Sequence, residues 1–285
     1  MNTSGTSELG IKKSMERRDT SSKWIRRLLV GVVILYVGVL ILAPVSGLIS
    51  GAFSEGLEGI IRSLTEPEAL SAFKLTLWIS LIVVLVQTVF GMIAALVLVR
   101  DDFPGKAWLN GMIDTPFAVS PVVVGYSLLL LFGRNGILAP VLNALGIKVT
   151  FALPGMILAT LFVCMPFMIR ELMPVLEAFG EQQERAAATL GANAWQIFIR
   201  VTFPGIRWGY IYGLTLTLAR ALGEFGAILV VGGGIQGRTE TSTLYIFRLL
   251  EERQYIGAYS AALVLGLVSM ILVIGTDILR RRETR

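Results

Sequence analysis

Residues 75–99 read LTLWISLIVVLVQTVFGMIAALVLV, twenty-five positions without a charged side chain. At 1.5 Å per helical residue such a run reaches about 37 Å, more than the roughly 30 Å of bilayer hydrocarbon. The stretch reads as a membrane-spanning helix, and five others resemble it. They run from about Leu28 to Ile49, Met112 to Phe132, Pro154 to Met173, Trp208 to Val231 and Ala258 to Leu279, each bounded by charged or Gly-rich segments. The whole chain follows the same rule: 54% of its 285 residues are apolar, 16% are charged, and the mean hydropathy is +0.73. That composition makes the bilayer its solvent. The expected fold class is all-α, a polytopic transmembrane helical bundle of about six spans.

Basic residues decide which side of a membrane a loop keeps. The N-terminal tail, the second-to-third and fourth-to-fifth connections and the C-terminal tail carry seventeen of the 25 Lys and Arg, and the alternate loops carry seven; Arg220, within a span, is the last. Both termini are therefore expected in the cytoplasm. Lys23-Trp24-Ile25-Arg26-Arg27 would anchor the first span at the interface, and Arg280-Arg281-Arg282 the last. The first apolar stretch is too long to be a removed signal peptide and is expected to stay. The net charge of +5 comes mostly from these flanks, so the basic partner is membrane lipid and no nucleic acid is implied.

The only cysteine, Cys164, falls inside the fourth apolar stretch, and there is no histidine. Disulfides, most metal sites and imidazole acid–base chemistry are excluded together, so no enzyme, cofactor or metal is expected. Gly232-Gly233-Gly234-Ile235-Gln236-Gly237-Arg238-Thr239 has P-loop spacing, but Arg238 stands in place of Lys and the charge count puts it outside the cell.

The connection from Arg170 to Arg207 departs from plain membrane architecture. Glu177–Leu190 is rich in Glu, Gln, Ala and Leu, and Trp195–Arg200 resumes after Gly191 and ends before Pro204, which predicts helix, turn, helix. Small residues in Arg185-Ala186-Ala187-Ala188-Thr189-Leu190-Gly191 let another backbone approach closely, and Gly191 permits the sharp turn. With Val201-Thr202-Phe203-Pro204 after it, this segment resembles the EAA loop of ABC importer permeases, the coupling helix that docks into a cleft of the ATP-hydrolysing subunit. Arg185 occupies the position where that motif has Glu, with Glu184 one residue earlier. Either the ATPase compensates for the reversed charge or Glu184 takes the role. The coupling residues that the resemblance implies are Glu184, Arg185, Ala186, Ala187, Gly191 and Pro204.

Two further segments resemble the sulfate/thiosulfate branch of those permeases, the CysW type. Asp114-Thr115-Pro116-Phe117-Ala118-Val119-Ser120-Pro121-Val122-Val123 is the more specific, and Ala219-Arg220-Ala221-Leu222-Gly223-Glu224-Phe225-Gly226-Ala227 is shared with molybdate permeases. Arg220 and Glu224, four apart on one helix face, are expected to pair, because isolated charges are expensive at membrane depth. Two uses are open: a cation offered to a passing anion, or an ion pair that locks packing. Pro116 and Pro121 each remove a helix hydrogen bond, which makes the third span, with Ser120, a candidate gate.

The resemblance implies a type I ABC importer permease fold and ATP-driven passage of sulfate or thiosulfate across the inner membrane by alternating access. It implies as partners a second permease of the CysT/CysU type, two copies of a CysA-type cytoplasmic ATPase, and an extracytoplasmic sulfate- or thiosulfate-binding protein. A molybdate/tungstate permease is the alternative within the class, and an ATP-independent secondary anion transporter is the alternative outside it. The expected organisation is a basic cytoplasmic tail (1–27), a first helix and outer loop (28–69), a transporting domain (70–275) with its coupling loop at about 177–204, and a last helix end and basic tail (276–285).

Overall fold

A computed structural model describes the backbone of residues 5–283 and the side chains of residues 24–279. The anchoring cations Lys23, Arg280, Arg281 and Arg282 lie outside the described side chains, whereas Trp24, Arg26 and Arg27 are exposed. Every regular element among the described residues is helical. In chain order they are α1 (Gly5–Ala52), α2 (Gly56–Thr65), α3 (Pro67–Arg100), α4 (Lys106–Ala118), α5 (Pro121–Phe132), α6 (Ala139–Leu145) and α7 (Leu153–Phe179). They continue as α8 (Gln182–Thr189), α9 (Ala194–Ile197), α10 (Phe203–Leu222), α11 (Gly226–Gly232), α12 (Ser242–Glu251) and α13 (Tyr255–Glu283).

By contacts the chain divides into Met1–Gly51 and Ala52–Arg285. The first unit is nearly all of α1, a single helix whose apolar residues from Trp24 onward are almost all exposed. The second holds the folded bundle. Four helices are long and apolar enough to cross a membrane, and two bent pairs bring the number to six if each pair is one span.

Those two pairs correct the expectation of continuous third and fifth spans. In the third, α4 and α5 meet at 111°. Ser120 precedes Pro121 and takes an extended conformation (φ −59°, ψ 136°), as the proline ring demands of its neighbour. Pro121 therefore opens α5, where a helix has no use for its missing N–H, and removes no bond from a helix interior. Of the two, only Pro116 sits inside a helix, buried in α4. In the fifth, α10 stops at Leu222, and α11 starts at Gly226 after a 54° bend. Glu224 thus lies in the break and does not share a helix face with Arg220.

At the core, α7 packs against α3, α4, α5, α10 and α11. Lipid chains are as apolar as leucine, so helices in a bilayer gain little by burying leucine and associate through close packing and hydrogen bonds. Gly205, Gly209 and Gly213, four residues apart on α10, serve that packing against α7: a Cβ on Gly209 would stand 2.7 Å from the Val175 side chain. Helices α5 and α11 meet through backbone as well, since a Cβ on Gly125 would lie 2.7 Å from the Ala227 carbonyl. Cross-helix polar contacts add to this, with Gln87 donating to the Leu161 carbonyl (3.2 Å) and Thr215 bonded to Thr276 (3.0 Å).

Short helices sit in the connections outside the α7–α10 segment as well: α2, α6 and α12. The last is tied to the start of α3: Arg248 bridges Glu240 (2.7 Å), Glu68 (2.6 Å) and Glu252 (3.3 Å). Nearby, the Tyr245 hydroxyl donates to Glu66 (3.3 Å), and burial, with Glu66 beside it, pushes its pKa up to about 12. The glycine-rich stretch before α12 closes on itself. Thr239 accepts from the Ile235 N–H (3.0 Å) and donates to the Gly232 carbonyl (2.7 Å), which occupies an amide that a phosphate loop would need free.

Candidate functional site

The sequence-selected residues fall into two places. One is the segment after α7. That helix ends at Gly180, whose φ of +68° no β-carbon residue adopts easily, and the chain turns into α8. Glu184 does not point outward. Its carboxylate takes the Arg100 guanidinium at 3.2 Å and accepts the Thr202 hydroxyl at 2.7 Å, and Arg100 also donates to the Gly180 carbonyl at 2.7 Å. Arg185 points the other way, 79% exposed and paired with Glu181 in the preceding turn (2.6 Å). The two charges that the sequence left as rivals therefore have different tasks: Glu184 fastens α8 to the end of α3, and Arg185 faces solvent.

Ala187 is half-buried, while Ala186, Ala188 and Leu190 are exposed, Leu190 to 88%. Gly191 makes the turn at φ +85° with open space around its α-carbon. Asn193 then caps α9, accepting from the Gln196 N–H (2.9 Å) while the Gln196 amide oxygen accepts the Asn193 N–H (3.0 Å). Trp195 is likewise exposed, to 69%, and stacks on Phe198.

The second helix does not end before Pro204. It runs from Ala194 through a π turn at Phe198–Thr202 into α10, continuous to Leu222. Pro204 lacks the N–H for the carbonyl one turn back, and its ring crowds that carbonyl. The wider winding directly before it gives the ring room.

The other place is a cleft of about 510 Å³ lined by residues 116–121, Val163, Phe167 and Arg220. It joins the break between α4 and α5 to the end of α10, so Pro116, Ser120, Pro121 and Arg220 line one space although a hundred residues separate the break from Arg220. Glu224 stands behind Arg220, 1% exposed against 28%, with 2.7 Å between guanidinium and carboxylate. The same carboxylate accepts the Ala227 N–H at 3.0 Å, and the Thr243 hydroxyl donates to the Glu224 backbone carbonyl at 2.7 Å. The break is thus tethered to α11 and α12. A guanidinium half-neutralised from behind and open in front can attract an anion without holding it tightly.

One clamp was missed by the reading of the sequence. Arg170 of α7 grips Asp114 of α4 with two bonds (2.7 and 2.6 Å) and also reaches the Asn110 carbonyl (3.2 Å). The signal was available, since Asp114 lies in the third apolar stretch and Arg170 is the one cation in the fourth.

Residues 87–285 match the family described as binding-protein-dependent transport system inner membrane component. A sulfate transport system permease protein CysW of Synechococcus elongatus is 48% identical over 257 residues, 90% of each chain. That of Escherichia coli K12 is 42% identical over 91% of this chain and 89% of its own, and the CysT permease of the same bacterium is 35% identical over 90% and 92%. In three dimensions the chain is similar to one in a bacterial alginate ABC transporter solved with a pentasaccharide-bound periplasmic protein. The TM-score is 0.77 at 20% identity, covering 94% of this chain and 98% of that one.

Proposed function

Because the chain belongs to the family of binding-protein-dependent transport system inner membrane components, we propose that it is the permease subunit of an ATP-driven importer carrying sulfate or thiosulfate inward by alternating access. It is a transport subunit and not an enzyme; ATP hydrolysis belongs to a separate ATPase. Its setting is a permease heterodimer with ATPase and binding protein. In that assembly the second permease is of the CysT type, and two ATPase copies dock from the cytoplasm. A sulfate- or thiosulfate-binding protein docks from outside and supplies the selectivity.

The observation that carries the transport reading is the cleft itself, which gathers Arg220 with Pro116, Ser120 and Pro121. A tetrahedral dianion entering it meets one cation, whose charge Glu224 partly offsets, so the anion is guided and then released. The coupling segment, about 177–204 within a transporting domain of 70–275, presents Ala186, Leu190 and Trp195 to the ATPase. Force applied there has two exits: through Glu184 to Arg100 and α3, and through Thr202 into α10. From Ala194 to Leu222 is 29 residues of continuous helix, about 43 Å at 1.5 Å each, so displacement at the docking loop reaches Arg220 without a joint. Both termini face the cytoplasm, following the distribution of basic residues.

Radiolabelled sulfate uptake in cells lacking this chain, complemented with wild type or with Gly191→Arg, tests the reading. Uptake restored by wild type and lost in a variant that still reaches the membrane is the expected result. Full uptake by the variant would overturn the coupling loop, and restoration of molybdate uptake without sulfate would overturn the cargo.

A further inference from the structure

A second cleft takes no part in that pathway. It lies in the connection 133–152, between the end of α5 at Phe132 and the start of α7 at Leu153, so that both ends of the connection emerge from membrane-embedded helices. The cleft has a volume of about 540 Å³ and is lined by α5 residues such as Leu129 and Phe132, by Leu142 and Asn143 of α6, and by Arg134 and Lys148. Both cations are exposed, and among the described residues neither forms an ion pair or hydrogen bond.

The outer surface of the same connection is apolar. Val141 and Leu145 share a face of α6, four residues apart, and are 56% and 65% exposed; Ile137, one turn earlier in sequence, is 83% exposed. Large aliphatic side chains in this number do not face water without a reason. Two unpaired cations in a cleft that also exposes Ile147 and Phe151 (48% and 46%), on a connection whose outer face is aliphatic and at the level where spans end, make the pattern of a segment lying in the membrane interface. A soluble anion would satisfy the cations and leave the stripe in water. Hydrocarbon alone would cover the stripe and leave the cations unpaired.

We infer that this cleft is a binding site for an anionic phospholipid, whose phosphate is held by Arg134 and Lys148 and whose acyl chains lie along Ile147 and Phe151 of the same lining. The inference goes beyond the transport reading and does not depend on the cargo.

The test uses the whole complex in nanodiscs containing phosphatidylglycerol and phosphatidylethanolamine. The complex is extracted into detergent, and bound lipid is measured by native mass spectrometry. The paired variant Arg134→Gln/Lys148→Gln is compared with wild type and with Lys74→Gln/Arg238→Gln, which removes two exposed cations elsewhere. Two basic residues at an anionic head group contribute together about 30-fold. Phosphatidylglycerol affinity is therefore expected to fall by about that factor in the first variant and to stay unchanged in the second. Equal retention by wild type and the first variant would overturn the site. So would displacement of the lipid by glycerol phosphate or by sulfate, because the site would then take free anions. Sulfate uptake measured alongside separates failure of this site from failure of the transport reading.

Discussion

The Arg220–Glu224 pair makes an asymmetric prediction. Glu224 is 1% exposed and Arg220 is 28% exposed at the cleft. Arg220→Gln strands a carboxylate away from water with the Ala227 N–H as its remaining bond. Removal of one partner from a buried pair destabilises by about 3–5 kcal/mol, and this variant falls in that range. Glu224→Gln keeps an oxygen for the Ala227 N–H and leaves a guanidinium that can turn into the cleft, so its effect is smaller, about 1–3 kcal/mol. The double variant Arg220→Met/Glu224→Leu removes both charges together and should melt close to wild type. Melting of the purified complex in detergent gives the ranking, and sulfate uptake in proteoliposomes gives the function. The expected order of stability is wild type and double variant, then Glu224→Gln, then Arg220→Gln, with uptake lost in the double variant. A stable double variant with full uptake would show that Arg220 serves packing alone. A melting point for Glu224→Gln at or below that of Arg220→Gln would refute the burial argument.

Arg100→Gln frees Glu184 and loosens α8 from α3, so ATP hydrolysis by the complex should continue while sulfate uptake falls several-fold, measured together in proteoliposomes. Gly191→Ala meets open space but a φ of +85°; the strain of about 1–2 kcal/mol should lower uptake partially at unchanged membrane abundance. Gly125→Val drives a side chain into the Ala227 carbonyl and should cut the amount of assembled complex, whereas Gly111→Ala, with nothing within 4 Å, should leave it unchanged on quantitative blots. Tyr245 titrates near 12 against an ordinary 10, so the folded state holds its proton more tightly. Its contribution to stability should be complete below pH 10 and disappear as pH rises through about 12, a step that Tyr245→Phe removes from alkaline melting curves.

The six apolar stretches were legible because each is long enough to cross the hydrocarbon and charged or Gly-rich segments separate them. The breaks were not. A proline inside an apolar run reads the same whether it sits within a helix, as Pro116 does in α4 and Pro166 in α7, or begins a new one, as Pro121 does. Gly223 and Gly226 mark a place where the fifth span can bend, but bilayer helices tolerate glycine generally, so Glu224 was placed on a helix that had already ended. The helix, turn and helix after α7 were legible through the small residues and Gly191. Arg100, which fixes its inner side, lies 84 residues from Glu184, and no local pattern announces such a partner. Helix α12 was missed because its ten residues follow a glycine-rich turn and carry their charges on one face.

The breaks described above also bear on how the chain enters a membrane. At 1.5 Å per residue, α4 and α5, with 13 and 12 residues, reach about 20 and 18 Å, and α11, with 7, about 10 Å. None crosses the hydrocarbon alone. Helices α3, α7 and α13 are each long enough to leave the translocon unaided, while each bent pair presents unpaired backbone at its corner until protein surrounds it. Insertion should therefore finish out of sequence order: the third span remains incomplete until α7 has been synthesised, and the fifth until α11 can settle against α5. A ribosome stalled before Leu153 would hold a nascent chain whose third segment is still exposed to the translocon, and release of that segment into lipid would date the arrival of α7.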